Sequence, residues 1–242
     1  VNPDEFSQLL SSRHAVRDFK PEPIPQTTID AILEDARACA SWSNTRPYAV
    51  AVAQGEQLRR ISASYLTAFE KAAPIVHKDV PGIVRTVLTG GLPDGDFRTW
   101  KKYPPKLLER SQQLGKAMYT HIGIARRDSE ARDESKRDNL RFFGAPAAMF
   151  FFVHKDLLPF SAMDAGIVLQ TIMLSATAHG VGTCPLGVMA TWRHPLDAEF
   201  SVPKDYKLIT GLALGYANDS AINSFRAPHP PVEQIPAKSA RS

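Results

Sequence analysis

Three basic side chains, Arg13, His14 and Arg17, fall within five residues of "SRHAVRDF" (12–19), and Asp18 alone cannot neutralise them. Near the other end, "NSFRAPHPP" (223–231) holds Arg226 and His229 in a Pro-rich, extended stretch. Together these groups have the charge and donor geometry to neutralise a phosphate dianion, the arginines through planar, two-pronged hydrogen bonding. Taken singly, each arginine reads as an ordinary surface charge. The pattern carries chemistry only if the fold brings both ends of the chain to one place.

Other reactive constellations are missing from the sequence. There is no G-x-S-x-G, no H-E-x-x-H and no G-x-x-x-x-G-K. Histidines 14, 77, 121, 154, 179, 194 and 229 lack paired ligand spacing, so no metal site is expected. No G-x-G-x-x-G follows a strand, which leaves a resident nicotinamide dinucleotide on a Rossmann unit unsupported. Cys184, in "GVGTCPLG" (180–187), is a conceivable nucleophile, but without a visible activating partner it reads as a buried structural thiol.

The elements that must position these residues belong to a chain of 242 residues, 43% hydrophobic and 22% charged, enough for one globular domain with a sizeable core. Its two cysteines are too few for a disulfide framework, and a reduced, cytoplasmic setting is expected. "VNPDEFSQLL" has no basic segment leading into a long apolar one, so no export signal is expected. A net charge of +4 raises the question of nucleic acid. The basic residues are interleaved with acids, however, as in "RRDSEARDESKRDNLR" (126–141), where Arg126/Glu130 and Asp133/Arg137 have the spacing of a solvated helix face. With no recognition motif beside them, no nucleic-acid partner is expected. Ala165–Trp192 lacks acidic residues, lysine and arginine over a length that would allow a membrane span. Gln170, Thr171, Ser175, Thr177, His179, Gly180, Gly182 and Pro185 interrupt it, which points to a buried helix followed by a loop, with no membrane partner.

Along the chain, Thr27 and Asp30 have capping-box spacing, and Ile29, Ile32, Leu33 and Ala36 follow with helical periodicity. "SWSNTRP" (41–47) predicts a loop, "YAVAVA" (48–53) a buried strand and 56–73 a helix. From about 74 to 105 the pattern turns irregular, with Phe97, Trp100 and Tyr103 among Gly and Pro. That section is either a functional lid or a surface excursion packing its own aromatics. Helical periodicity returns over 106–141, and "AAMFFFVH" (147–154) predicts a central strand. Ser161 is placed to cap a helix over 162–179 that ends at Gly180. Its residues are apolar or small nearly all round, so it should lie at the centre of a subunit or of a dimer. In "LITGLALGY" (208–216), strand alternation sets Leu208, Thr210, Leu212, Leu214 and Tyr216 against Ile209, Gly211, Ala213 and Gly215. The second face is nearly bare, which suits tight packing of another element or, alternatively, a flat ligand.

Read together, "SRHAVRDF", "ACASWSNTRPY", "GAPAAMFFF", "HGVGTCPLG" and "LALGYANDSAINSFR" resemble, in this order, the motifs of the nitroreductase family of FMN-dependent oxidoreductases. The resemblance implies an α+β fold with a mixed, mainly antiparallel central sheet flanked by helices, a long central helix and a domain-swapped homodimer. It implies a single FMN-binding domain over 1–242, with an inserted substrate-site section at about 74–135 and an extended tail at about 217–242. By the family pattern, Arg13 and His14 bind the FMN phosphate, Ala15 offers only its backbone N–H, and Arg226 closes the site. Arg17 matches a cation near flavin N1 and O2, where it would stabilise the reduced ring. Ser41, Ser43 and Asn44 would reach the flavin of the other subunit. Pro185, Leu186 and Gly187 would lie beside the isoalloxazine, with an N–H near Gly187 addressing N5. Departures from the pattern are Ala40 for Pro, Arg46 for Gln, Tyr48 for Trp and His229 for a frequent Arg. Arg46 then either adds charge beside the flavin or points to solvent, and His229 is only partly charged near neutral pH.

The implied activity is NAD(P)H-driven, ping-pong reduction of nitroaromatic or quinone-like acceptors. Alternatives on the same scaffold are ene reduction, dehalogenation, flavin breakdown and flavin binding without catalysis. Phe97, Trp100 and Tyr103 are candidates to stack on the acceptor, and Arg98, Lys101 or Lys102 to select an anionic one.

Overall fold

The computed structural model describes residues 2–76, 80–88, 91–98, 103–125 and 127–235. In chain order these form α1 (Pro3–Ser12), α2 (Gln26–Ala36), β1 (Tyr48–Gln54), α3 (Gly55–Val76), α4 (Val80–Leu88), α5 (Pro105–His121) and α6 (Ser129–Leu140). Then come β2 (Ala147–His154), α7 (Phe160–Ala178), β3 (Gly182–Leu186), α8 (His194–Asp197), β4 (Tyr206–Gly215) and α9 (Ala221–Ser224). Trp100, Lys101, Lys102 and Arg126 lie outside the described residues.

The apolar run at 147–154 is a strand because both its faces are covered. Among the described residues the sheet has the order β1-β2-β4-β3, antiparallel throughout. Ala148, Phe150 and Phe152 point into a core built with Ile61 and Tyr65 of α3 and with Met189 and Trp192. Ala147, Met149 and Phe151 point the other way, against Ile29 and Ile32 of α2 and Val168 and Ile172 of α7. Each fully buried Phe contributes roughly 1.5–3 kcal/mol, and trimming one to Ala would cost about 3–5 kcal/mol.

The alternation expected along β4 holds for only part of the strand. Phe151 pairs with Thr210 but Phe152 with Leu208, so Ile209 is the extra residue of a β-bulge. The bulge reverses the facing below it. Ile209 joins Leu212 and Leu214 on the α2–α7 side, and Leu208 joins the opposite core. The bare face is filled by packing: a Cβ on Gly211 would lie 2.8 Å from Met189, and one on Gly215 2.8 Å from Phe19.

Several local expectations are corrected. Residues 182–186 are not loop but the edge strand β3, where Pro185 is tolerated because an edge position need not donate to a further strand. The Thr27–Asp30 box does not form: α2 starts at Gln26 behind Pro25, Thr27 is already inside the helix, and Asp30 accepts from Gln26 Nε2 at 2.8 Å. Ser161 likewise lies within the first turn of α7, and its hydroxyl donates to the His154 carbonyl at 2.9 Å, fastening the helix to β2. Part of the irregular section is helical, as α4, with Pro81 in a first turn that tolerates it. On α6, Asp133 takes Lys136, while Arg137 reaches across to Glu70 of α3. Nor is α7 buried on every side. α2 and the sheet cover one flank, and Phe160, Met163 and Ile167 stay exposed along the other.

Candidate cofactor site

"SRHAVRDF" docks on the free edge of β3. The Val16 N–H donates to the Thr183 carbonyl at 2.9 Å, and Ala15 bridges Thr183 in parallel, the one parallel pairing beside an antiparallel sheet among the described residues. Val16 is buried against Gly182, where a Cβ would lie 2.6 Å from Val16 Cγ2. Extended alternation then turns Ala15 and Arg17 away from that contact.

Both Arg13 and Arg17 are near Cys184. Burial pushes the Cys184 thiol up to about 11, against the opposing pull of Arg17 and Arg13. The cysteine is 2% exposed and neutral, hence structural. The arginines' charges remain available to a ligand. His14 Nδ1 lies 2.9 Å from the Ser12 carbonyl, an acceptor only, so Nδ1 carries the proton. Its Nε2 can donate to an anion only when the ring is an imidazolium.

The C-terminal segment meets this strand through one residue. Asn223 Oδ1 accepts the Arg17 N–H at 2.7 Å, and Asn223 Nδ2 donates to the carbonyls of Asp18 (2.7 Å) and Asn218 (2.9 Å). Arg226 Nη1 donates back to the Asn223 carbonyl at 2.8 Å. Asp18 is occupied by Asn218 Nδ2 at 2.8 Å. The chain ends therefore converge beside β3. Asn223, not singled out in the sequence, is the hub; its only signal was its place three residues before Arg226. His229 is exposed further along the tail.

Pro185 is exposed, Leu186 is 2% exposed with its side chain in the core, and Gly187 opens onto the surface. Leu186 can offer a ligand only its backbone. Nothing lies within 4 Å of a Cβ built on Gly187, in contrast to the crowded glycines of β4.

The loop at 41–46 is on the α7 side. Its Ser43, Asn44 and Arg46 hold left-handed φ of 49°, 54° and 49°, a costly conformation for non-glycine residues that concentrates at functional sites. The Trp42 N–H donates to buried Asp164 at 3.0 Å, its ring stacks on Phe160 at 4.1 Å, and Ser41 Oγ accepts the Arg46 N–H at 3.1 Å. Arg46 Nη2 donates to the Arg37 carbonyl at 2.8 Å, at the C-terminal end of α2, where a cation is favoured. Within one chain these hydrogen bonds run to α2 and α7, not to the 13–17 strand.

In the inserted section, Phe97 is half-buried and Tyr103 is exposed. α5 buries none of its residues fully, and it leans on α9 through His121, whose Nε2 donates to the Ala221 carbonyl at 2.9 Å. Glu233 ties the tail to α5 through Lys106 (2.9 Å) and Arg110 (2.5 Å).

A pair of arginines at a strand edge, a third brought in from the tail and an unfilled space beside Gly187 fit a flat ring carrying a phosphate. The sheet order, α7 behind it and this edge site define the nitroreductase fold, and the chain belongs to the nitroreductase family, whose model matches residues 10–216. It is 33% identical over 222 residues to nitroreductase NfnB of Mycolicibacterium smegmatis, covering 91% of this chain and 87% of that one. Over 228 residues it is 32% identical to a 4-nitrobenzoate reductase of Pseudomonas putida, covering 93% and 91%. The crystal structure of the FMN-dependent nitroreductase NfnB from Mycobacterium smegmatis in complex with NADPH superposes with a TM-score of 0.80 at 30% identity, covering 94% of this chain and 95% of that one.

Proposed function

We propose that the chain is an FMN-dependent oxidoreductase that reduces nitroaromatic or quinone-like acceptors with NAD(P)H in a ping-pong cycle. The observation that carries this reading is the meeting of Arg17 and Arg226 on Asn223, at the edge strand that leads to the open space at Gly187. FMN, when bound, supplies the centre that takes hydride from NAD(P)H at N5 and delivers it to the acceptor. Arg13 and Arg226 hold the phosphate, His14 joins them when protonated, and Ala15 adds its N–H. Arg17 sets a fixed cation where the reduced ring gathers negative charge. The missing side chain at Gly187 leaves one slot for nicotinamide and acceptor in turn.

The partner copy completes the site in this reading. The loop is tied to α7 through Trp42 and to the end of α2 through Arg46, while the hydrogen bonds of Ser41 and Asn44 stay within the loop, and the exposed flank of α7 is the surface that a second copy would cover.

The experiment is direct. Purified protein with added FMN should turn yellow, NAD(P)H should bleach it under anaerobic conditions, and a nitroaromatic should restore the colour. Protein that takes up no FMN would defeat the proposal; flavin that NAD(P)H fails to bleach would reduce the chain to a binder.

A further inference from the structure

Residues 94–96 of the inserted section are fastened to the turn that follows Gly187. Gly95 lies so close to it that a Cβ there would sit 2.0 Å from the Ala190 carbonyl oxygen, and its N–H donates to the Thr191 carbonyl at 3.0 Å. Two carboxylates flank this contact. Asp94 accepts the Arg193 N–H at 2.8 Å, the His194 N–H at 3.2 Å and His194 Nδ1 at 3.1 Å. Asp96, with a side chain only 9% exposed, accepts the Leu208 N–H at 2.8 Å and pairs with Arg193 Nη1 at 2.5 Å and Lys207 Nζ at 3.1 Å. Arg193 is buried over the Phe152 ring and also holds Asp197 at 2.7 Å.

At the buried centre of this cluster Asp96 faces two cations, Arg193 and Lys207. Burial would raise the Asp96 carboxyl, but the Leu208 N–H, Arg193 and Lys207 outweigh it and hold it below the usual carboxylate range. The Asp96–Arg193 pair is a buried, satisfied centre, the condition under which polar groups rigidify their surroundings, and Asp94 extends it toward the surface.

A loop could be anchored anywhere on the surface. This one is anchored to the 187–193 turn and to β4, and Phe97, a candidate to stack on the acceptor, follows Asp96 directly, so its position is tied to that of the turn beginning at Gly187. We infer that Asp94 and Asp96 are positioning residues for the acceptor: they lock residues 94–97 of the inserted section to the Gly187 turn and so set the width of the slot. This assignment rests on the proposed reductase function. Neither carboxylate touches the reacting atoms. Their effect is on where Phe97 stands, and geometric misplacement of a binding wall weakens substrate capture before it alters the chemistry.

Asp94→Ala is the cleaner probe, because Arg193 keeps Asp96 and Asp197 and no buried charge is stranded. In hydrogen exchange, with and without FMN, the amides of 91–98 and 188–193 should exchange roughly tenfold faster while α7 is unchanged. In steady-state assays with 4-nitrobenzoate, KM should rise about five- to twentyfold, with kcat and the FMN dissociation constant within about twofold. Asp94→Asn keeps one acceptor for the Arg193 N–H and should fall between the two. Unchanged exchange at 188–193 would overturn the lock. Faster exchange with an unchanged acceptor KM would overturn its role in positioning. Wild-type protein without flavin uptake would overturn the reductase reading and this role with it, and flavin absorbance of the wild type tells that failure from the other two.

Discussion

Arg17 and Asn223, 206 residues apart in sequence, are joined by a 2.7 Å hydrogen bond from the Arg17 N–H to the Asn223 side-chain oxygen. Because Asn223 also donates to the Asp18 and Asn218 carbonyls, one amide closes three backbone positions around the candidate phosphate site. Asn223→Ala leaves those groups without their partner in a site only 7% exposed, at a cost of about 1–3 kcal/mol. The expected outcome is a lower urea midpoint and FMN binding weaker by roughly tenfold. Asn223→Asp, which keeps the acceptor for Arg17 but turns a carboxylate oxygen toward the Asp18 and Asn218 carbonyls, should be at least as damaging. Flavin affinity equal to the parent in the alanine variant would detach this hub from the cofactor.

Arg13 and Arg226 approach from the two chain ends and should act additively on the phosphate. A hydrogen bond to a charged group contributes roughly 1.5–3 kcal/mol, so removing both guanidinium groups should weaken FMN a hundredfold or more. Riboflavin, which lacks the phosphate, should bind parent and double variant alike. Fluorescence titration with both ligands separates a phosphate role from general damage. If the double variant retained parental FMN affinity, the phosphate assignment would be wrong.

What the sequence disclosed and withheld follows from how local each interaction is. "AAMFFFVH" was legible to the residue because a strand covered on both faces is apolar at every position, and β2 is such a strand. The long helix shifted only from 162–179 to 160–178. By contrast, β3 looks like a loop because it carries Gly and Pro; it is a strand only because β4 and Ala15 pair with it. The bulge at Ile209 is set by register against Phe151 and Phe152, which no pattern within 208–216 reveals. Arg13, Arg17 and Arg226 stood out as charges. Asn223 did not, since its meaning lies in carbonyls and an N–H far along the chain. Asp94 and Asp96 did not stand out either, for the same reason: their partners come about a hundred residues later.

Gly187 is open where the glycines of β4 are crowded. A Cβ there meets nothing within 4 Å, so Gly187→Ala should fold with parental stability. Gly211→Ala, by contrast, would drive a methyl to 2.8 Å from Met189 and cost about 1–3 kcal/mol through overpacking. If the space beside Gly187 is where nicotinamide and acceptor stand, Gly187→Ala should lower NAD(P)H-driven turnover tenfold or more without a change in thermal midpoint. Unaltered turnover would move the slot elsewhere.

Cys184 reports on the same arginines from behind. Its thiol, held up at about 11 by burial, should resist alkylation at pH 8 in the folded protein and react once unfolded. A raised thiol keeps its proton in the folded state after the unfolded chain has lost it. Stability from this group is therefore full below the unfolded value near 9 and falls as pH rises toward 11. Denaturant titrations should show that decline, on the order of 2–3 kcal/mol, and Cys184→Ala should flatten it. Arg17→Ala removes an opposing cation and should push the thiol higher still, read by its ultraviolet thiolate absorbance.

In the proposed dimer, the exposed flank of α7 is the surface that a second copy covers. Phe160 (40%), Met163 (51%) and Ile167 (37%) recur at helical spacing, and Trp42 (50%), stacked on Phe160, extends the apolar strip to the strained loop. Covering what remains exposed of these half-buried side chains is worth about 1 kcal/mol each, which together favours association when a matching surface is presented. The parent should sediment as a dimer. Met163→Glu, a charge set in the middle of the strip, should sediment as a monomer while keeping its helical circular dichroism, because the other flank of α7 still packs on α2 and the sheet. If Ser41, Ser43 and Asn44 serve the partner's flavin, that monomer should also lose FMN, although none of the residues at 13, 17, 223 or 226 has been touched. A parent that sediments as a monomer with FMN tightly bound would show that one chain holds the flavin by itself.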